Sequence, residues 1–333
     1  APLLGILIYG YSQHEASAIR SLEHQVTRNM NEAVVASAEM IETVGRTIAI
    51  VAEAGAHNPW HFKTERGNEL LWRALTAGDH IDAVYVSQED GYHRVVTRID
   101  DDRRKSDRRI PANATWHASY VDEFSKGDQR ARHRQFFNIW GGESSGGYST
   151  PTDLDIRKLP HYIGAKRDRR LTIGTPSVNP DTGYPVVSMG YPIVTRGRFI
   201  GFVGANMTLS NISRFLHQNL ISPNSTTIIY DEDGQLIASS DFSLLKDPNR
   251  SLFDDNAENI KNPAIRDALE QRRFARLQLH LFDDSSGTQY SIMELPFPSR
   301  LEKDWWVMVT LNALFTSRYA EYIVFKGGTS LSK

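Results

Sequence analysis

The sequence predicts an α+β chain in which one long helix precedes two mainly antiparallel sheets, each flanked by helices. Three observations predict it. A stretch of about 40 residues carries no proline and repeats apolar side chains at three-and-four spacing. A pattern of strand, acidic-Gly turn and strand occurs twice, at Asp90-Gly91 and again at Asp233-Gly234. The length of 333 residues exceeds one ordinary core and fits two modules of about 100–150 residues each.

The chain opens on Pro2-Leu3-Leu4-Gly5-Ile6-Leu7-Ile8-Tyr9, which is apolar but far shorter than the roughly 20 residues that span a bilayer. Residues 1–11 therefore read either as the remnant of a membrane helix or as a buried first turn. Over residues 12–56, Ile19, Leu22, Val26, Met30, Ala33, Ser37, Ile41, Val44, Ile48 and Val51 share one helical face. A single helix of that length reaches roughly 60 Å, longer than one module is wide. Small and polar residues along its seam leave open both a dimer seam and packing on its own chain. Gly55 and Pro59 end it, and a shorter helix is expected over 64–77.

The first sheet is expected from strands at 81–87, 92–98, 171–174, 185–193 and 198–206, joined by Gly-containing turns at 181–183 and 195–197. A helix over 209–220 precedes the second sheet. Its strands are expected at 226–230, 235–239, 276–282, 289–295 and 305–311, with a helix at 262–271. The modules are accordingly placed at 57–210 and 211–312, and residues 313–333 read as a C-terminal helix and linker.

Hydrophobic residues make up 40% of the chain and charged ones 23%, enough for a sizeable core. The 38 Lys and Arg balance 40 Asp and Glu, which argues against a protein built to grip nucleic acid. With no cysteine there are no disulfides, thiolate metal sites or thiol nucleophiles, as suits an exported domain. The 11 histidines show no metal-ligand spacing and no phosphate-binding Gly-Lys motif occurs, so no metal or cofactor is expected.

Beyond the long helix, the order of several short runs is informative. Ala83-Val84-Tyr85-Val86 precedes Asp90-Gly91, and Ile173-Gly174-Thr175-Pro176-Ser177-Val178 leads to Thr182-Gly183. Met189-Gly190-Tyr191-Pro192-Ile193 and Phe199-Ile200-Gly201-Phe202-Val203-Gly204-Ala205-Asn206 follow, then Ile229-Tyr230-Asp231-Glu232-Asp233-Gly234 and Trp305-Trp306-Val307-Met308-Val309. In this order the chain resembles the double Cache (tandem PAS-like) extracytoplasmic sensor domains of bacterial membrane receptors. The resemblance implies a periplasmic part of an inner-membrane receptor, anchored in the full-length protein and dimeric through the long helix. It also implies a non-covalently bound small-molecule ligand in the first, membrane-distal module. A histidine kinase, cyclase or chemotaxis domain elsewhere would supply the output, and this chain itself would not be an enzyme.

Tyr85, Arg98, Tyr191 and Asn206 lie on or beside the strands that line the family's pocket. Trp116, His117 and Tyr120 follow Pro111 in a segment that could fold over the sheet, and aromatics with polar tips suit a small-ligand pocket. Each has a structural alternative: core packing for the aromatics, a surface ion pair for Arg98. Amino-acid-sensing members carry closely spaced Arg, Trp and Tyr and a late Asp that receives the ligand amine. Here Arg109, Trp116 and Tyr120 are spread out and Asn206 takes the late position. Asn supplies no negative charge, so an uncharged or anionic ligand is expected.

Three other motifs receive plainer readings. The mixed-charge run 100–109 is expected to be a solvated loop. Arg130-Ala131-Arg132-His133-Arg134 is expected to be the exposed face of a short helix. Gly142-Glu143-Ser144-Ser145-Gly146 matches the hydrolase G-x-S-x-G, but Gly147 and Pro151 oppose the helix that motif needs, and a flexible loop is expected. The competing functional classes are a protein-sensing module and, more remotely, a hydrolase using Ser144.

Overall fold

The proline-free stretch forms one helix, α1 (Pro2–His57), which stops where Asn58-Pro59 denies it a further backbone donor. The computed structural model describes residues 2–123, 130–174, 176–179, 182–220, 225–230, 236–241, 280–283, 289–296 and 307–313. Met40, Ile41, Val44, Ile48, Val51 and Ala52 bury one stripe of α1. Each of its larger apolar side chains contributes about 1.5–3 kcal/mol by leaving water. Among the described residues no helix is long and apolar enough to cross a membrane.

The chain divides into two compact units, one of Met40–Asn211 and one of Ala1–Glu39 with Ile212–Lys333. The first contains α2 (Arg66–Thr76), β1 (Ala83–Gln88), β2 (His93–Arg98), α3 (Asp101–Ser106), β3 (Trp116–Val121), β4 (Ala131–Phe137) and β5 (Glu143–Pro151). After α4 (Pro160–Asp168) come the short β6 (Thr172–Ile173) and β7 (Ser177–Val178), then the long β8 (Pro185–Thr195) and β9 (Arg198–Thr208). Arg196 and Gly197 both take positive φ, 50° and 76°, the two-residue turn whose twist matches a tight hairpin.

The strands form one antiparallel sheet in the order β5-β4-β3-β2-β1-β9-β8-β6, with β7 beside β8. Helix α2 packs on β1 and β2, and α4 on β6, β8 and β9. Side chains alternate between faces along each strand, and one face is covered by the chain around α3 and α4.

In the second unit, α5 (Leu209–Gln218) is followed by β10 (Ser225–Tyr230), β11 (Leu236–Ser239), β12 (His280–Asp283), β13 (Gln289–Pro296) and β14 (Val307–Ala313). Their antiparallel order is β11-β10-β14-β13-β12. Within this unit Ser213 Oγ accepts from the Ser239 amide and Ser240 Oγ from the Thr227 amide, tying α5 and both ends of the hairpin together. The expected turn at 231–234, the helix at 262–271 and the segment 314–333 lie outside the described residues.

Three local expectations are corrected. Residues 101–106 are a helix, because Asp100 caps it by accepting from the Arg103 amide, and Arg103 is buried rather than solvated. Residues 131–137 are strand β4, half-buried between β3 and β5, where the alternating Arg and His side chains match a strand period. The Ser144 segment is part of strand β5. Ser144 Oγ is buried without a hydrogen-bond partner, so no histidine activates it.

Candidate functional site

A cavity of about 260 Å³ lies between the sheet face and the segments around α3, residues 154–159, α4, and Gly174, Ser177, Val178, Asn179 and Thr182. On β1, β2, β3, β8 and β9 the lining obeys a single parity. His93, Val95 and Thr97 of β2, Tyr85 of β1, His117 of β3, Asn206 of β9 and Ser188 of β8 all face inward. The pairing register places them side by side: Thr97 opposite His117, Val95 opposite Tyr85, Asn206 opposite Ser188. Tyr85, Val95, Ile156, Tyr162 and Phe202 form a buried apolar cluster beside the cavity, against which Leu154 and Leu159 pack.

Of the residues singled out in the sequence, Tyr85, His117 and Asn206 are brought together here. Arg98, Trp116, Tyr120 and Tyr191 do not line the cavity, since each has the opposite strand parity. Arg98 donates to the carbonyls of Leu75, Gly78 and Ile81, closing the C-terminal end of α2. Trp116 stacks between Trp72 of α2, at 5.5 Å, and Phe137, at 4.1 Å. Tyr120 stacks on His133 and lies under the Arg94 guanidinium.

The polar lining separates into two ends. Toward β8 and β9, Ser188 Oγ donates to Asn206 Oδ1 at 2.9 Å, and the Tyr85 hydroxyl meets His161 Nε2 at 3.0 Å. Burial pushes the Tyr85 hydroxyl well above its ordinary range and pulls His161 down to about 4, so this end is uncharged at neutral pH. His93, whose Nδ1 lies 2.8 Å from Ser87 Oγ, is held down to about 3 by burial and by Arg132 and Arg130.

Toward β3 and β4 the lining is cationic. Arg103 Nη2 meets Asp82 Oδ2 at 2.7 Å, and both side chains are buried. Burial pushes the Asp82 carboxyl upward against the pull of Arg103; burial also opposes the Arg103 charge, but Asp82 outweighs it. Asp107 accepts from Arg109 Nε at 2.8 Å and from the Tyr148 hydroxyl at 2.8 Å, and these bonds hold it down to about 2. His117 lies well below its ordinary range through burial and the nearby Arg134, Arg103 and Arg132. Arg103 Nε, His117 Nδ1 and Arg134 Nε are buried and make no hydrogen bond.

No protein-family model matches the chain, and no curated protein sequence matches it with significance. Solved structures do. The sensory domain of the Campylobacter jejuni chemoreceptor Tlp3 superposes with a TM-score of 0.56 at 11% identity, covering 94% of this chain and 99% of that one. The ligand-binding domain of the Pseudomonas fluorescens chemoreceptor CtaA, in complex with L-serine, gives 0.51 at 17% identity over 87% and 98%. The extracellular domain of mmHK1S-Z3, a candidate histidine kinase, gives 0.50 at 15% identity over 91% and 95%. The chain has the fold of a chemoreceptor sensory domain. The α+β architecture and the resemblance to double Cache domains, both expected from the sequence, hold at this level.

Within this sensory-domain fold, sequence reasoning missed Arg103, Arg134, His93 and His161. For His93 a signal existed: it shares strand parity with Val95 and Thr97. Arg103 and Arg134 were hidden in charge runs that look solvated, and His161 in a segment without pattern.

Gly204 explains how Tyr85 reaches across the sheet. A Cβ at Gly204 would overlap the Tyr85 ring, so only glycine lets that ring lie over β9. Gly204→Ala is therefore expected to displace Tyr85 from His161 and cost about 1–3 kcal/mol of unfolding free energy. The double variant Gly204→Ala/Tyr85→Ala is expected to recover part of that loss in denaturant titrations. An additive loss would show that the ring does not depend on Gly204.

Proposed function

We propose that this chain is the extracytoplasmic small-molecule sensor domain of a bacterial signal-transduction receptor, with its ligand held non-covalently in the cavity of the Met40–Asn211 unit. The observation that carries the reading is the cavity itself, enclosed between one sheet face and the segments over it and lined by apolar, hydroxyl, imidazole and guanidinium side chains. The fold shared with chemoreceptor sensory domains supports the same reading. In the full-length receptor the domain is anchored in the inner membrane, dimerises through α1 and drives a kinase, cyclase or chemotaxis output.

CtaA is solved with L-serine and Tlp3 with L-valine. Here the neutral Asn206 faces the cavity, and the Asp107 carboxylate at the cavity's other end is engaged by Arg109 and Tyr148. No free anion stands ready for an ammonium group among the described lining residues, so the ligand lacks one. Signalling follows if the ligand binds one arrangement of the domain better than another.

A thermal-shift screen against carboxylates, amino acids, purines and polyamines tests the reading. A true ligand raises the melting temperature of the wild type and leaves Thr97→Phe, whose ring fills the cavity floor, unchanged. Equal shifts in both proteins would place binding elsewhere and sink the proposal. The second reading, a module that senses a protein partner, has the β4–β5 tip in its favour: Ile139 is 60% and Trp140 88% exposed.

A further inference from the structure

We propose that the outer surface of α4, continued by the β8–β9 turn, is a docking site for a protein partner that presents an acidic segment with an apolar side chain. The surface goes beyond the sensor reading and lies apart from the cavity. Helix α4 gives Pro160 and His161 to the cavity lining and exposes Ile163, Lys166 and Arg167 on its other side.

Two shallow grooves that meet at Glu89 make up the surface. One follows α4 past Ile163, Lys166 and Arg167, and the other passes Trp60, Arg198 and Phe199. Lys166 and Arg169 both lie over the Phe199 ring, at 5.9 and 5.6 Å. Arg169 Nη1 donates to the Gly197 carbonyl at 3.4 Å, joining the end of α4 to the β8–β9 turn. Thr195 Oγ1 donates to the Ala56 carbonyl at 2.9 Å and holds the same turn on the last residues of α1.

The carboxylates here are already engaged. Glu89 pairs with Lys166, Asp155 with Arg157 and Asp168 with Arg167, while Asp90 and Glu123 share Lys63. Arg169, Arg196 and Arg198 are exposed and have no carboxylate within 4 Å among the described residues. Backbone conformation singles out two of them. Among the described residues, Arg169 and Arg196 are the two that take positive φ without being glycine, at 55° and 50°. Glycine or asparagine would end a helix or open a tight hairpin there with less strain, because a longer side chain's Cβ crowds a carbonyl oxygen. Local folding therefore does not account for arginine at either place. An exposed guanidinium does, since it offers a carboxylate two parallel hydrogen bonds.

The apolar half of the partner follows from the flanks. Ile163 is 51% and Trp60 66% exposed, and each lines one of the grooves. A groove with an apolar wall accepts a side chain, which a phosphate chain or a layer of lipid headgroups does not supply. An acidic protein segment carrying an apolar residue matches both features.

Fluorescence anisotropy with the full chain tests this, using as probe a short labelled peptide of glutamates and leucines. Its counterparts carry Gln for Glu or Ser for Leu, and polyphosphate and phosphatidylglycerol vesicles serve as competitors. The Glu-Leu peptide is expected to bind about tenfold or more tighter than either counterpart and to weaken as salt rises. The double variant Arg169→Gly/Arg196→Asn should bind it about tenfold less tightly while melting no lower than the wild type, because both substitutions relieve a left-handed arginine. No binding, equal binding of the Gln or Ser counterpart, or undiminished binding by the double variant would overturn the proposal. Tighter binding of polyphosphate or vesicles would overturn it in favour of a phosphate or a lipid surface. A double variant that melts well below the wild type would overturn it too, since the arginines would then serve the fold. None of these outcomes bears on a ligand in the cavity, which Thr97→Phe tests separately.

Discussion

The Met40–Asn211 unit is expected to lose stability steeply as the pH falls from neutral to about 4. Its cavity wall holds three imidazoles in their neutral form: His93 at about 3, His161 at about 4 and His117 well below its ordinary value. Burial is the first cause for each, reinforced at His93 and His117 by neighbouring arginines. An unfolded chain binds a proton at each of these positions below about pH 6.5, while the folded unit does not. The unfolded state therefore holds more protons across this window, and stability must rise with pH. Each group contributes up to about 1.4 kcal/mol per pH unit. The carboxylates held low, Asp107, Glu89 and Asp155, lose their contribution only at lower pH, where unfolded carboxylates protonate. Denaturant titrations at several pH values, followed by near-ultraviolet circular dichroism of the stacked Trp72 and Trp116, would measure the slope. It should flatten in His93→Gln and His161→Gln; a wild-type profile already flat between neutral pH and about 5 would contradict the neutral-imidazole assignment.

The second large effect is expected from the pair beneath the cavity's cationic end. Asp82 and Arg103 are both buried at 2.7 Å, and Arg103 also donates to the Arg98 carbonyl and lies 4.9 Å from the Tyr184 ring. Two charges withdrawn from water contribute little net stability, because desolvation offsets their attraction. Removing one alone is different, since the survivor stays buried and unpaired. Arg103→Met is expected to cost about 3–5 kcal/mol and to loosen α3, which the arginine ties to β2. The double variant Asp82→Leu/Arg103→Met should regain a large part of that loss, and the interaction energy from the cycle reports the pair directly. Singles that cost no more than an ordinary surface substitution would show that the pair is hydrated in solution.

The hairpins were legible because their signals are local. Asp90-Gly91 and Arg196-Gly197 announce tight turns, and the flanking runs of β-branched residues announce strands. The long helix was legible for the same reason, since proline-free three-and-four periodicity needs no partner to be recognised. The candidate site was legible only by halves. Sequence shows that Tyr85 and Val95 can share a face, but not which face is covered by helices and which encloses the cavity. Residues with suitable chemistry were therefore drawn from both faces: Tyr85, His117 and Asn206 from one, Arg98, Trp116, Tyr120 and Tyr191 from the other.

By itself the sequence determined the long helix, the hairpins and their repeat, the balanced charge, and the replacement of a carboxylate by Asn206, but not α3, α4 or the strands β3, β4 and β5. Each of these depends on residues adjacent in the chain or on composition, where short-range sterics and solvation decide the outcome. Tertiary structure decided which side of the sheet is enclosed and that Arg103 meets Asp82. It also decided that Arg134 looks into a cavity rather than out to solvent. Those outcomes depend on residues 15 and 21 positions apart and on segments folding over the sheet, and a charge run reads the same whether its arginine is hydrated or buried.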